Sequence, residues 1–181
     1  MIKKNTIRHM KKFSYYNKEK ELDRIWFESS NVYYGECDDS SQNQYKTVRI
    51  TFKNGLQYQY NNVLITDWLD FKNAESQGKF INGIFKKRGY EYVKLNEKAD
   101  LAKLDEEYKF RSQKGMLFDL ADDMYLEITD YQDKVYRKIN LQAYGSQELQ
   151  CLLLKDMKTL LEDVGYTVFL SDKVKKKYSE I

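Results

Sequence analysis

Val48-Arg-Ile-Thr-Phe-Lys-Asn-Gly-Leu-Gln-Tyr-Gln-Tyr60 is the stretch from which the fold is read. Val48, Ile50 and Phe52 alternate with Arg49, Thr51 and Lys53, the period of two expected of a half-buried strand. Asn54-Gly55 follows, a dipeptide suited to a two-residue type I′ turn because both central positions there take positive φ. Leu56, Tyr58 and Tyr60 then resume the alternation on a return strand, with Gln57 and Gln59 on its other face. The expectation is a β-hairpin.

The neighbouring residues extend it. Ile25, Phe27 and then Val32 to Cys37 read as a strand entering the hairpin, and Asp38 to Asn43 as a polar loop. The paired aspartates 38 and 39 lack further oxygen ligands at calcium-loop spacing, so turn chemistry accounts for them. After the hairpin, Thr66 is placed to cap a helix bearing Trp68, Leu69, Phe71 and Ala74, with Asp67 in its first turn. Gly78 is read as the break before a second short helix, Lys79 to Lys87. Phe80, Ile81, Ile84 and Phe85 fall at helical spacing toward the sheet. Lys79, Lys86, Lys87 and Arg88 then project outward, with Tyr90 and Tyr92 close behind.

Ser29-Ser-Asn-Val-Tyr-Tyr-Gly35, the Phe-Lys-Asn-Gly hairpin, the Tyr58-x-Tyr60 pair and Ser76-Gln-Gly-Lys-Phe-Ile-Asn82 occur in that order. Together with Ile84 and Tyr90 they resemble the KTSC domain, over residues of about 27–92, roughly a third of the chain. That family takes its name from a domain at the C-terminus of some lysyl-tRNA synthetases and has free-standing members. Val63-Leu64 stands where many relatives place proline. The resemblance implies an α+β fold, with helices packed on an antiparallel, hairpin-based sheet, and it points to RNA binding within a family of unsettled function.

The remainder is organised around that module. Residues 1–24 are read as a basic N-terminal arm: the first twenty residues hold seven Lys/Arg against Glu19 alone, in a chain of net charge +3. Phosphate binding by this arm competes with the commoner case of a solvated terminus. Residues 25–93 form the KTSC-like domain and 94–113 a charged linking helix carrying Leu101, Leu104 and Tyr108, with Gln113-Lys-Gly115 as the boundary. Residues 114–172 read as a second small α+β unit of strand-strand-helix-strand order. Its strands start at Leu126, at Val135 (running to Ala143) and at Tyr166, and residues 116–125 are left untyped. Ser146 caps its helix, Leu149, Leu152, Leu153, Met157, Leu160, Leu161 and Val164 make the apolar stripe, and Gly165 ends it. Residues 173–181 read as a basic tail.

Composition and motifs narrow the chemistry. The chain has sixteen tyrosines, no proline and one histidine, His9, in the basic arm where no scaffold holds an imidazole for catalysis. Cys37 and Cys151 are far apart, giving neither a zinc pattern nor a disulfide framework, and a reduced, cytoplasmic setting is expected. No secretion signal or membrane-spanning run is read. Glycine-rich phosphate loops are missing, and the acid-x-Lys pattern Asp156-Met157-Lys158 falls inside a helix rather than on a strand. No enzyme, cofactor or metal is expected.

The leading expectation is a non-catalytic binding protein of phage or mobile-element type. It would inhibit a nucleoprotein complex of bacterial defence such as a CRISPR effector, in the manner of anti-CRISPR proteins, with no membrane partner. Asp119, Asp122, Asp123, Glu127, Asp130 and Asp133 would form its acidic, partner-facing surface. The alternatives are direct RNA or DNA binding, or a nucleotide-binding sponge. For these the candidate residues are Lys53, Tyr58, Tyr60, Lys79, Asn82, Lys86, Lys87, Arg88 and Tyr90.

Overall fold

A computed structural model describes residues 12–122, 124–179 and 181. The chain divides between Leu104 and Asp105 into two compact units.

The first unit is a six-stranded meander in which every strand pairs antiparallel with the next. Its strands are β1 (Phe13–Asn17), β2 (Leu22–Trp26), β3 (Val32–Asp38), β4 (Tyr45–Phe52), β5 (Gln57–Leu64) and β6 (Tyr92–Lys94). Phe13 onward, assigned by sequence to the basic arm, is therefore sheet, whereas Lys3, Lys4, Arg8, His9 and Lys11 lie outside the described residues. One face carries Ile25, Cys37, Val48, Ile50, Tyr60 and Val63 into a core closed by Trp68, Phe71, Ile81 and Phe85. At Gly35 on that face a Cβ would stand 3.2 Å from both the Phe27 and Trp68 rings. Glycine is what lets the helical layer approach so closely.

The β4–β5 hairpin forms as the alternation requires, but its turn differs from the expected type I′. Asn54 does not take positive φ, whereas Gly55 has φ +82°. The Gly55 N–H donates to the Phe52 carbonyl at 2.9 Å, and the Phe52 N–H to the Leu56 carbonyl at 2.9 Å. This is a three-residue loop, a type I turn closed by a left-handed glycine bulge. Asn54 contributes through its side chain, whose Oδ1 accepts from the Leu56 N–H at 3.0 Å.

Helix α1 (Ile65–Asn73) begins one residue before Thr66, so Thr66 does not cap it; Leu64 is the N-cap and supplies no side-chain bond. Trp68 and Phe71 are buried while Leu69 is exposed. The break after α1 falls at Ala74–Ser76, not at Gly78: Ser76 caps α2 (Gln77–Phe80), accepting from the Lys79 N–H. Gly78 lies inside that first turn. α2 continues through a π-helical turn, Ile81–Phe85, into α3 (Lys86–Arg88), which Gly89 ends in the left-handed conformation at φ +68°. The outer face of the sheet carries a polar chain. The Tyr34 hydroxyl donates to Glu36 at 2.8 Å, and Arg49 donates to the other Glu36 oxygen at 2.9 Å.

Helix α4 (Leu101–Ser112) contains the division between the units. In the second unit, β7 (Gly115–Ala121), β8 (Tyr125–Asp130) and β9 (Val135–Asn140) form an antiparallel meander, and β10 (Thr167–Leu170) joins β7 in parallel. β7 adds a strand in the stretch the sequence left untyped. Its Met116, Phe118 and Leu120 join Leu126, Ile128 and Leu154 in a buried core.

Ser146 caps α5 (Gln147–Asp163), its Oγ accepting from the Leu149 N–H at 3.3 Å. Gly165 ends it at φ +92°, with the Gly165 N–H donating to the Glu162 carbonyl and the Tyr166 N–H to that of Leu161, each at 3.0 Å. That bond pair is the Schellman motif. The apolar stripe of α5 splits: Leu153, Met157 and Leu161 pack on the core, whereas Leu149, Leu152, Leu160 and Val164 are exposed. The stretch read as a basic tail contains α6 (Asp172–Lys177), which anchors itself through Val174 and Tyr178 in the same core. Among the described residues no helix is long and apolar enough to cross a membrane.

Candidate functional site

Leu56, Tyr58 and Tyr60 follow the β5 alternation, and Phe52 stands at the end of β4. Tyr92 lies opposite Tyr60 across the β5–β6 ladder. A cavity of about 520 Å³ opens between this end of the sheet and the helical layer. Phe52, Leu56, Tyr58, Tyr60 and Tyr92 line it from the sheet, and Ile81, Asn82, Phe85, Lys86, Gly89 and Tyr90 from the helical side, with Asn54 at the hairpin turn.

The rings form a connected set. Tyr58 meets Phe52 and Tyr92 edge-on at centroid distances of 5.6 and 5.9 Å. Tyr60 lies 5.6 Å from Tyr92 and 5.1 Å from Phe85, and Phe85 stands perpendicular to Tyr90 at 5.4 Å. The π-helical turn makes the helical wall. The Lys86 N–H bonds the Ile81 carbonyl, five residues back. Such a turn is wider than an α-turn, so residues four and five apart share one side. Ile81, Phe85 and Lys86 thereby face the cavity together.

Tyr90 is fixed at its tip. Its hydroxyl donates to the Asp67 carboxylate at 2.6 Å and accepts from the Leu64 N–H at 3.2 Å. Asp67 is buried and also pairs with Arg88 at 3.2 Å. Burial, then the Asp67 bond, raises the pKa of Tyr90 above the ordinary tyrosine value. Burial and the neighbouring Tyr92 and Tyr58 push that of Tyr60 to about 12. Tyr60 and Tyr90 therefore keep their protons at physiological pH, because burial disfavours the phenolate. Lys86 supplies positive charge, and none of the described lining residues carries a carboxylate.

Five of the nine sequence candidates thus come together: Tyr58, Tyr60, Asn82, Lys86 and Tyr90. Lys53, Lys79, Lys87 and Arg88 do not line the cavity, and Arg88 instead braces Asp67. Phe52, Leu56 and Phe85 were missed as site residues, although Phe52 and Leu56 share the alternation that selected Tyr58 and Tyr60.

The acidic candidates are dispersed in their roles. Asp119 and Glu127 are register partners on β7 and β8, and Glu127 is flanked on its other side by Lys138. Asp130 accepts from the Gln132 and Lys134 N–H groups at 2.9 Å in the β8–β9 turn. Asp133 pairs with Arg111 at 2.7 Å. Asp122 occupies a left-handed turn position, φ +58°, and Asp123 lies outside the described residues. Among the described residues no group of three His, Cys, Asp or Glu side chains is arranged to hold a metal.

The first unit is an α+β module that holds an aromatic cavity between a hairpin-based sheet and a π-kinked helical layer. Its residues 42–92 match the family model of the KTSC domain, in agreement with the motif resemblance. Every residue lining the cavity falls within that match. Comparison with curated proteins and with solved structures finds no match.

Proposed function

We propose that this protein is a non-catalytic binder that captures a nucleotide in the cavity of its KTSC-type module. The carrying observation is the lining itself: six aromatic rings, two asparagines and Lys86, with no described carboxylate. Rings at these spacings stack on or edge against a planar base, a contact worth about 1–3 kcal/mol per base. Asn54 and Asn82 offer both donors and acceptors to a base edge. Lys86 at the rim suits a phosphate and disfavours the quaternary ammonium ions that aromatic cages otherwise take. The volume lies within the roughly 300–1,000 Å³ usual for small-ligand sites.

The same observations favour a free nucleotide over a nucleic-acid strand. A strand-tracking groove needs several cations along one path, yet Lys53, Lys79, Lys87 and Arg88 stand outside the cavity. The reading in which an acidic face engages a CRISPR-type complex is carried less far, because Asp130 and Asp133 already serve turn and ion-pair roles.

Equilibrium dialysis of the full chain against ribonucleoside monophosphates and single-stranded RNA tests this. Retention of mononucleotides, lost in Tyr92→Ala, supports the proposal. Retention of RNA alone, with a salt slope steeper than the ~0.7 of one single-strand phosphate contact, would replace it with a strand-binding reading.

A further inference from the structure

The sheet wall of the cavity continues past the residues that line it. On β6, Tyr92 stands opposite Tyr60 and Lys94 opposite Tyr58. Directly opposed residues of an antiparallel pair send their side chains to the same face. Lys94 therefore leaves β6 on the face that carries Tyr58, Tyr60 and Tyr92, about 7 Å along the strand from Tyr92. Val93, opposite Gln59, takes the other face. Lys94 is exposed and stands just beyond the lining, at the sheet edge, while Lys86 is on the helical wall across the opening. The paired cations of this unit are otherwise held at carboxylates: Lys46, Arg49, Lys72 and Arg88 lie 2.7, 2.9, 2.7 and 3.2 Å from theirs. Among the described residues, neither Lys86 nor Lys94 has an ion pair or a side-chain hydrogen bond.

We infer that Lys94 is a second phosphate-binding residue of the cavity, and that the ligand class is the nucleoside monophosphate. The inference rests on the nucleotide reading of the cavity and narrows it. A phosphate monoester carries about −1.5 to −2 charges at pH 7 and presents three acceptor oxygens. Two ammonium groups, one from each side of the opening, match that charge while the base lies among the rings. A nucleoside forgoes both contacts. A triphosphate brings further charge for which the lining supplies no further cation.

Calorimetric titration of the full chain with the four ribonucleosides and their 5′-mono- and triphosphates, without magnesium, tests this. At least one monophosphate should bind several-fold tighter than its nucleoside and at least as tightly as its triphosphate. Added salt should weaken the monophosphate and leave the nucleoside nearly unchanged. Lys94→Ala should lower monophosphate affinity roughly two- to fivefold, the range of an exposed charge pair, and spare the nucleoside. Adding Val93→Lys to that variant returns the charge on the opposite face and should not restore affinity. Both positions are exposed, and unchanged circular dichroism checks that each variant folds. A nucleoside that binds as tightly as its monophosphate would overturn the inference while leaving a base in the cavity. So would a triphosphate bound more tightly than the monophosphate, a Lys94→Ala variant without effect, or rescue by Val93→Lys. If none of these compounds binds, the nucleotide reading falls and the inference with it.

Discussion

The Tyr90 hydroxyl donates to the buried Asp67 carboxylate at 2.6 Å, tying the far wall of the cavity to the first turn of α1. Arg88 closes the arrangement from the solvent side. Two elements twenty-three residues apart are thereby set in one geometry, and the ring of Tyr90 is held perpendicular to Phe85.

Asp67→Asn keeps the shape and removes the charge. The Tyr90 and Arg88 contacts both weaken, and a charge-assisted hydrogen bond of this kind contributes about 1.5–3 kcal/mol. Urea denaturation should show a loss on that scale. Nucleotide affinity should fall as well, because the Tyr90 wall loosens.

Tyr92→Ala separates binding from folding. Tyr92 is 58% exposed, so its loss leaves the core intact and should leave the denaturation midpoint nearly unchanged. Removing one stacking ring should weaken nucleotide binding by about 1–3 kcal/mol in a calorimetric titration.

Gly35→Ala tests the packing of helix on sheet. Its Cβ would stand 3.2 Å from two rings that are themselves enclosed by core, so overpacking should cost about 1–3 kcal/mol of stability. Gly55→Ala tests the turn. At φ +82° an L side chain is strained, and the expected loss is about 1 kcal/mol.

Alkaline pH gives a third test of the cavity. Tyr60 keeps its proton up to about 12 when folded, against 10.0 ordinarily. Its stabilisation is fully present below pH 10, and is lost as pH rises from there through the folded value, because the unfolded chain ionises first. Stability should therefore decline between those limits, with Tyr34 contributing in the same direction through its burial. Tyr60→Phe should make the decline shallower while leaving neutral-pH stability nearly unchanged.

The hairpin was legible because Val48 to Phe52 and Leu56 to Tyr60 alternate on either side of Asn54-Gly55, and such alternation leaves a strand only one way to face its core. The turn type was not, since Asn-Gly suits two loop lengths and the choice is made by the bonds of Phe52. Tyr58, Tyr60, Asn82, Lys86 and Tyr90 could be nominated from residue type and motif. That they enclose a cavity could not, because it depends on a π-helical turn that no sequence pattern announces and on Asp67, whose partner lies far along the chain. β7 escaped typing because Leu117 and Ala121 on its other face blur the alternation of Met116, Phe118 and Leu120. In α5 the apolar residues were plain, but not which of them face the unit's own core.

The central claim is that the aromatic cavity takes a nucleotide. Carbon–proton spectra of protein labelled at tyrosine and phenylalanine, titrated with ribonucleoside monophosphates, address it residue by residue. The account expects saturable shifts at the rings of Tyr58, Tyr60, Phe85, Tyr90 and Tyr92, abolished by Lys86→Glu without change in the unliganded spectrum elsewhere. Ring signals that stay in place at saturating nucleotide, or shifts confined to aromatic residues outside the cavity, would contradict it.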